Sequence, residues 1–478
     1  MTALASYYLP GLYVEDYSID VPLDWRGLEP ALLIFGDTLR RGAAPDPIPG
    51  TSESIKLFYR VVCAPEHVGQ ELPLMLYLQG GPGGASPRPT SSTCSVWLEE
   101  AVKHFRVILP DQRGTGRSSF VDGAVMERIG RAAEAEGTDP ARAQAEYLKR
   151  FLASSVVRDF EYLRLARFGG KQWVTLGQSY GGFLTLTYLS LYPEGIAAGF
   201  TGGGIPHVPA DADEVYAHTY PRMVSKTRQY YERFPEDVER VSALADRLAV
   251  GDVVLPDGSP FTVERLQSLG CDFGMKPGFG RMHNLIDLAF ADGAGEVPAD
   301  HTSLRLSDGF LLNVLNRAST ADRPLYWTLQ EFIYMDGTSV PARWSAERAY
   351  HARPEFDPAA RPLMFTGEAT FHWMFELDPV LKPFKAAVEL LMDDIEFDRI
   401  YDPVRLAQNT VPLYAAVYND DLYVDSGMQL DTLSRIGASH AWVTNEFEHD
   451  GLARSEVLSH LLREALNRGD LEQVVRGC

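Results

Sequence analysis

A mostly parallel α/β sheet with helices on both faces, interrupted by a large helical insertion, is the architecture this sequence predicts, and three observations lead there. Short apolar runs ending in polar or glycine-rich turns alternate with stretches of helical periodicity near both ends of the chain. Between residues 206 and 408 that alternation gives way to charged helical segments broken by Gly/Pro loops. With 478 residues, 45% hydrophobic and 23% charged, the chain is long enough for one large core carrying an insertion.

The first strands read at 73–79 (PLMLYLQ), 106–110 (RVILP) and 173–176 (WVTL), near-continuous apolar runs of the kind that strands covered on both faces show. Val156, Phe160, Leu163 and Ala166 recur at helical spacing before the third strand, and 183–192 supplies an apolar helix after it. The pattern resumes with strands at 412–418 (PLYAAVY) and 441–447 (AWVTNEF) and helices at 428–436 and 454–467. Helices at 211–234 and 235–250 belong to the middle. The expected organisation is therefore a core made of residues 1–205 and 409–478, with 206–408 as a mainly helical cap.

Acidic residues outnumber basic ones 65 to 44, and a net charge of −21 argues against nucleic acid as a partner. Residues 206–408 hold 32 acidic and 20 basic residues, so about half of that charge falls in the insertion. Cys63, Cys94, Cys271 and Cys478 are scattered without a C-x-x-C pair, which indicates neither a disulfide framework nor a thiolate metal site. The N-terminus lacks a basic segment followed by an apolar one, so a cytoplasmic protein is expected. The longest uncharged run, 172–193, contains Gln178, Ser179 and glycines and is read as buried core, with no membrane partner.

Chemistry enters at Gly177-Gln178-Ser179-Tyr180-Gly181, between an apolar strand and an apolar helix. A strand-to-helix turn this sharp strains its central residue and leaves room only for glycines on either side. It lifts the Ser179 hydroxyl above the sheet and aims the N-terminal amides of the next helix at the same place, as in the nucleophile elbow of α/β-hydrolases. A second cluster, Gly80-Gly81-Pro82-Gly83-Gly84, follows the 73–79 strand where an oxyanion loop belongs. No Lys-Ser/Thr follows it, which disfavours a phosphate loop. The amides of Gly81 and Tyr180, with Gly80 nearby, are the expected oxyanion donors.

On this fold the triad runs in the order serine, acid, histidine, so the base lies late in the chain. His440 precedes the predicted final strand and His460 falls inside the last helix, whereas His449 lies just beyond the strand's C-terminal end. The acid comes from the loop after the 412–418 strand, which offers Asp420, Asp421 and Asp425. Asp421 is preferred; Asp425 is placed to cap the following helix, and spacing leaves Asp420 open.

Three motifs now resemble those of the prolyl aminopeptidases (proline iminopeptidases), serine peptidases of α/β-hydrolase fold. LQGGPGG at 78–84 is similar to the family's HGGPGG, DQRGTGRSS at 111–119 to its D-Q-R-G-x-G-x-S segment, and GQSYGG at 177–182 to its elbow. VPLDW at 21–25 and NEFEHDGL at 445–452 extend the likeness across most of the chain. Gln79 departs from the pattern, since many members carry histidine there. The resemblance implies that Ser179, His449 and Asp421 release an unblocked N-terminal residue, preferably proline, from small peptides without a metal or other cofactor. An exopeptidase must hold the chain's ammonium, and family members are understood to use cap glutamates for this. Glu331, Glu368 and Glu376 are the candidates, with Phe371 and Trp373 among the aromatics that would line a pocket for the proline ring; Phe332, Tyr334 and Phe375 are the others. A triad and oxyanion hole serve any acyl transfer, so an esterase or a broad aminopeptidase is the alternative, and a non-catalytic binding protein a more distant one.

Overall fold

A computed structural model describes residues 3–36, 45–209, 211–291, 297 and 299–475. Its strands, numbered along the chain, are β1 (Ala5–Leu9), β2 (Leu12–Pro22), β3 (Ser54–Cys63), β4 (Leu74–Leu78), β5 (Arg106–Pro110), β6 (Trp173–Gln178), β7 (Ile196–Gly202), β8 (Leu413–Tyr418) and β9 (Ser439–Thr444). They form one sheet in the order β1-β2-β3-β5-β4-β6-β7-β8-β9. From β5 onward all neighbours are parallel, while β1, β2, β3 and β5 pair antiparallel.

The central strands are largely apolar because their two faces feed two different cores. Leu74, Leu76 and Leu78 of β4 and Ile108 of β5 point to one side, where they meet Val156, Phe160 and Leu184. Met75, Tyr77, Val107 and Leu109 point to the other, against Trp97, Leu458 and Leu461. The helices Ala153–Arg167 and Tyr180–Leu191 cover the first face and Val457–Arg468 the second. The uncharged run 172–193 is thus β6 and a buried helix, and no helix among the described residues is long and apolar enough to cross a membrane.

Two parts of the sheet differ from the sequence reading. The antiparallel strands β1 to β3 and the parallel strand β7 were not anticipated. In β2 buried and part-exposed residues largely alternate, with Glu15, Asp16 and Asp20 interspersed, so it lacks the continuous apolar run that marks the central strands. The final strand is Ser439–Thr444 rather than 441–447, which puts His440 inside the strand instead of before it. Its imidazole packs against Tyr414 at 4.8 Å between ring centres, far along the strand from the loop that carries His449.

Between β7 and β8 the described chain is helical, beginning with Ala212–Arg233 and Asp237–Ala249, and its β content is limited to isolated bridges. Tyr220, Leu266, Phe365 and Val388 of this segment belong to the same apolar core as β4 and the Tyr180–Leu191 helix. Cys63, Cys94 and Cys271 carry no disulfide, and Cys478 lies outside the described residues.

The 21–25 and 111–119 segments meet around one buried guanidinium. Arg113 donates to Asp159 through Nε and Nη2 at 2.7 and 2.5 Å, to the Leu23 and Arg150 carbonyls through Nη1, and to the Pro22 carbonyl through Nη2. Trp25 Nε1 donates to the same Asp159 at 2.8 Å. Breaking a buried pair of this kind by removing one partner costs about 3–5 kcal/mol, because the other charge stays desolvated. One residue earlier, Gln112 Nε2 donates to the Gln79 carbonyl at 2.8 Å and braces the start of the glycine loop.

Candidate active site

Ser179 sits between β6 and the helix Tyr180–Leu191 with φ 56° and ψ −125°, a region that side chains other than glycine seldom enter. Packing holds it there. A Cβ on Gly181 would lie 1.9 Å from the Leu78 carbonyl oxygen, and one on Gly177 would lie 2.4 Å from that of Gly181. The Ser179 amide donates to the Gly202 carbonyl at 3.1 Å, tying the turn to β7. Tyr180 opens the helix, so its amide has no carbonyl partner within that helix and is free to face a developing oxyanion.

The glycine loop lies directly against this turn. A Cβ on Gly80 would meet the Gln178 carbonyl oxygen at 2.8 Å and Ser179 Cβ at 2.9 Å, and Gly81 adopts φ 122°. Gly80, Gly81 and Ser179 all line one cavity of about 350 Å³.

His449 lines the same cavity. Its Nδ1 is 2.8 Å from Asp421 Oδ2, and both side chains are buried. The other Asp421 oxygen accepts from the Tyr423 and Val424 amides at 2.8 and 3.0 Å, so the carboxylate is fixed at both ends. The other two carboxylates of the loop are elsewhere. Asp420 is exposed and, among the described residues, accepts from its neighbour Asn419, while Asp425 caps the Ser426–Ser434 helix through the Met428 amide and pairs with Arg222. Burial alone would lower the His449 pKa, but the Asp421 charge and hydrogen bond outweigh it and the imidazole is held above its ordinary value.

The loop carrying His449 is held by the helical segment. The His449 amide donates to the Gly274 carbonyl at 2.9 Å, and Lys226 Nζ contacts both oxygens of Glu448 at 2.6 and 2.7 Å. The ring of Tyr423 meets the His449 imidazole edge-on at 4.7 Å. Lys226 is itself buried, so the pair is desolvated as well as close.

The three candidate glutamates are in three different environments. Glu368 lines the cavity; Tyr326 Oη donates to its Oε1, and burial raises its pKa against the pull of that hydrogen bond. Glu331 is 1% exposed and away from the cavity wall, where its two oxygens accept from the Ser345 and Ala346 amides at 2.9 and 3.0 Å at the start of the helix Ser345–His351. Burial pushes its carboxyl up to about 8. Glu376 is exposed and pairs with Lys385 at 3.0 Å. Of the aromatics, Trp373 lines the cavity, whereas Phe371 is buried behind it with the two rings 6.0 Å apart. Phe332, Tyr334 and Phe375 are core residues.

Several lining residues were not anticipated. Tyr326, Tyr423 and the arginines Arg265, Arg317 and Arg323 all face the cavity. They come from short helices and turns with no recurrent motif, and only the fold brings them together. The wall is therefore mixed in charge, and the acidic surplus of residues 206–408 is spread over other surfaces.

Comparison with known proteins agrees with this architecture. Residues 73–239 match the alpha/beta hydrolase fold family. A proline iminopeptidase of Aeromonas sobria is 37% identical over 474 residues, covering 98% of this chain and 100% of that protein. A proline iminopeptidase of Aspergillus aculeatus is 30% identical over 419 residues, covering 85% of this chain and 88% of that one. With the sheet, the elbow and this near-complete alignment in view, the chain belongs to the proline iminopeptidase family of α/β-hydrolases.

Proposed function

We propose that this protein is a serine aminopeptidase that releases an unblocked N-terminal residue, preferably proline, from small peptides, with residues 206–408 as its cap. The observation that carries the reading is the Asp421–His449 pair at 2.8 Å, opening onto one cavity that also contains Ser179, the glycine loop and Glu368. Both similar proteins named above carry the same activity in their names.

In this mechanism Ser179 Oγ attacks the carbonyl carbon of the first residue while His449 Nε2 takes the hydroxyl proton. Asp421 keeps Nδ1 protonated and stabilises the imidazolium. The amides of Gly81 and Tyr180 receive the oxyanion. The C–N bond breaks as His449 passes its proton to the leaving amine, which departs as the shortened peptide. Water then attacks the acyl-Ser179 ester, giving one proton to His449, and the ester C–O bond breaks as that proton returns to Ser179. The free amino acid leaves. Glu368 takes the substrate's ammonium; its desolvated carboxyl, raised when alone, ionises when that cation pairs with it.

The test is Ser179→Ala against a chromogenic prolyl amide. A fall in kcat of at least about 10³-fold with unchanged thermal unfolding is expected; turnover near the parent rate would refute the reading. Acetylation of the substrate nitrogen should abolish cleavage, and equal rates on blocked and free substrates would indicate an esterase or an endopeptidase-like site.

A further inference from the structure

The three cavity arginines are not equivalent. Arg265 Nη2 lies 3.2 Å from Asp378 Oδ2, and its Nη1 donates to Ser259 and the Pro260 carbonyl. Arg317 is paired with Asp272 and also donates to the Arg281 carbonyl. Arg323 is different: it is exposed at the cavity, and among the described residues no carboxylate pairs with it. Its guanidinium lies over the ring of Tyr326, 5.1 Å from the centroid.

Thr320 supplies a second, independent sign. Its side chain is 2% exposed, it lines the same cavity, and its Oγ1 has no hydrogen-bond partner. A buried hydroxyl left unsatisfied costs about 1–3 kcal/mol, so a cavity wall that leaves one in the same turn as an unpaired cation has capacity for an acceptor. The two residues belong to one turn, closed by the Arg323 amide donating to the Thr320 carbonyl at 2.9 Å.

We infer that Thr320 and Arg323 form a subsite for the terminal carboxylate of a di- or tripeptide, so that the enzyme measures its substrate from both ends. This deepens the aminopeptidase reading and rests on it. Tyr326 is the ruler between the two ends, with its hydroxyl on Glu368 and its ring under Arg323. The carboxylate touches that tyrosine at its hydroxyl and the guanidinium lies over its ring, so both charged groups fall within the span of a short peptide, about 7–11 Å for two or three residues at about 3.3–3.6 Å each. A cavity of about 350 Å³ also lies at the small end of ligand sites. The wall then presents a negative group to a peptide's ammonium and a guanidinium fork, with an added hydroxyl, to its carboxylate. A long peptide, whose carboxylate is far from Arg323, gains nothing from that fork.

The experiment compares kcat/KM for Pro-Ala with that for its C-terminal amide in the full-length enzyme and in Arg323→Met, Arg323→Lys and Thr320→Val. The parent enzyme should prefer the free acid by about tenfold or more, mainly through KM. Arg323→Met should bring the ratio to near one, Arg323→Lys should retain part of it, and Thr320→Val should lower it to a lesser degree. A ratio near one in the parent enzyme, or one unchanged in Arg323→Met, overturns the carboxylate subsite while leaving the peptidase reading standing. Cleavage of neither substrate overturns both.

Discussion

The sheet edge and the helical segment contribute to the same cavity by different means. At the sheet edge each group of the proposed mechanism is placed by main chain: Ser179 by a strained turn with φ 56°, the glycine loop by its contact with Gln178, and Asp421 by two amides on its free oxygen. In the helical segment the cavity is lined by side chains from separate short elements, such as Tyr326, Glu368 and Trp373, whose positions depend on how those elements pack. Backbone placement admits almost no substitution, since a methyl on Gly181 would meet a carbonyl oxygen at 1.9 Å. Side-chain placement can be retuned one residue at a time. Chemistry is fixed in the first region and selectivity is adjustable in the second.

That contrast breaks first at Asp421, the proposed triad acid. Asp421→Asn should lower kcat for a prolyl amide by about 10³- to 10⁴-fold with little change in KM, because the imidazole loses both its tautomer and its counter-charge. Asp420→Asn should stay within about twofold of the parent. Steady-state kinetics on the two variants decides which carboxylate serves, and equal losses would mean that the loop acts as a whole.

In the second region the expected loss is smaller and appears in binding. Glu368→Gln should raise KM for a free-amine substrate by about 30-fold or more, the cost of leaving a desolvated cation without its partner. Glu376→Gln should leave the kinetics within about twofold, since that carboxylate is exposed and paired with Lys385. Reversal of this order would shift the ammonium site to the outer face of the helical segment.

A pH profile examines the two regions together. His449 must be neutral to accept the serine proton, and its pKa is held above the ordinary imidazole value. Activity is therefore lost as pH falls through that raised value, and the acid limb of kcat/KM should lie above about 6.5. In Asp421→Asn, where only the smaller pulls of Glu368 and Asp450 still oppose burial, the limb of the residual activity should move down.

The smallest effect is expected at Glu331. Glu331→Ala removes the acceptor of two helix-terminal amides and should lower stability by about 1–2 kcal/mol, seen as a reduced Tm, with kcat/KM of the folded enzyme within about threefold. A large rise in KM without loss of Tm would place this glutamate at the substrate instead.

The difference between the regions also governs what could be read from sequence. Ser179, Gly81, Asp421 and His449 follow strands whose apolar runs are visible, so each site residue is a short count from a recognisable element. Strand β2 is hard to read from sequence because one face is only half covered and its charges mask the alternation. The helical segment gave composition without address. Glu331, Glu368 and Glu376 stand beside aromatics in sequence alike, yet one caps a helix, one faces the cavity and one is on the surface. Thr320 and Arg323 carry no motif at all, and their importance lies in what they fail to contact.

The hydrogen bond from the His449 amide to the Gly274 carbonyl has a kinetic consequence. The proposed base is anchored to the same helical segment that lines the cavity, with Lys226 and Glu448 as a second tether. A change in how that segment packs therefore reaches His449 through its own backbone, so substitutions around Gly274 and Lys226, remote from the reacting atoms, are expected to act on kcat as well as on binding.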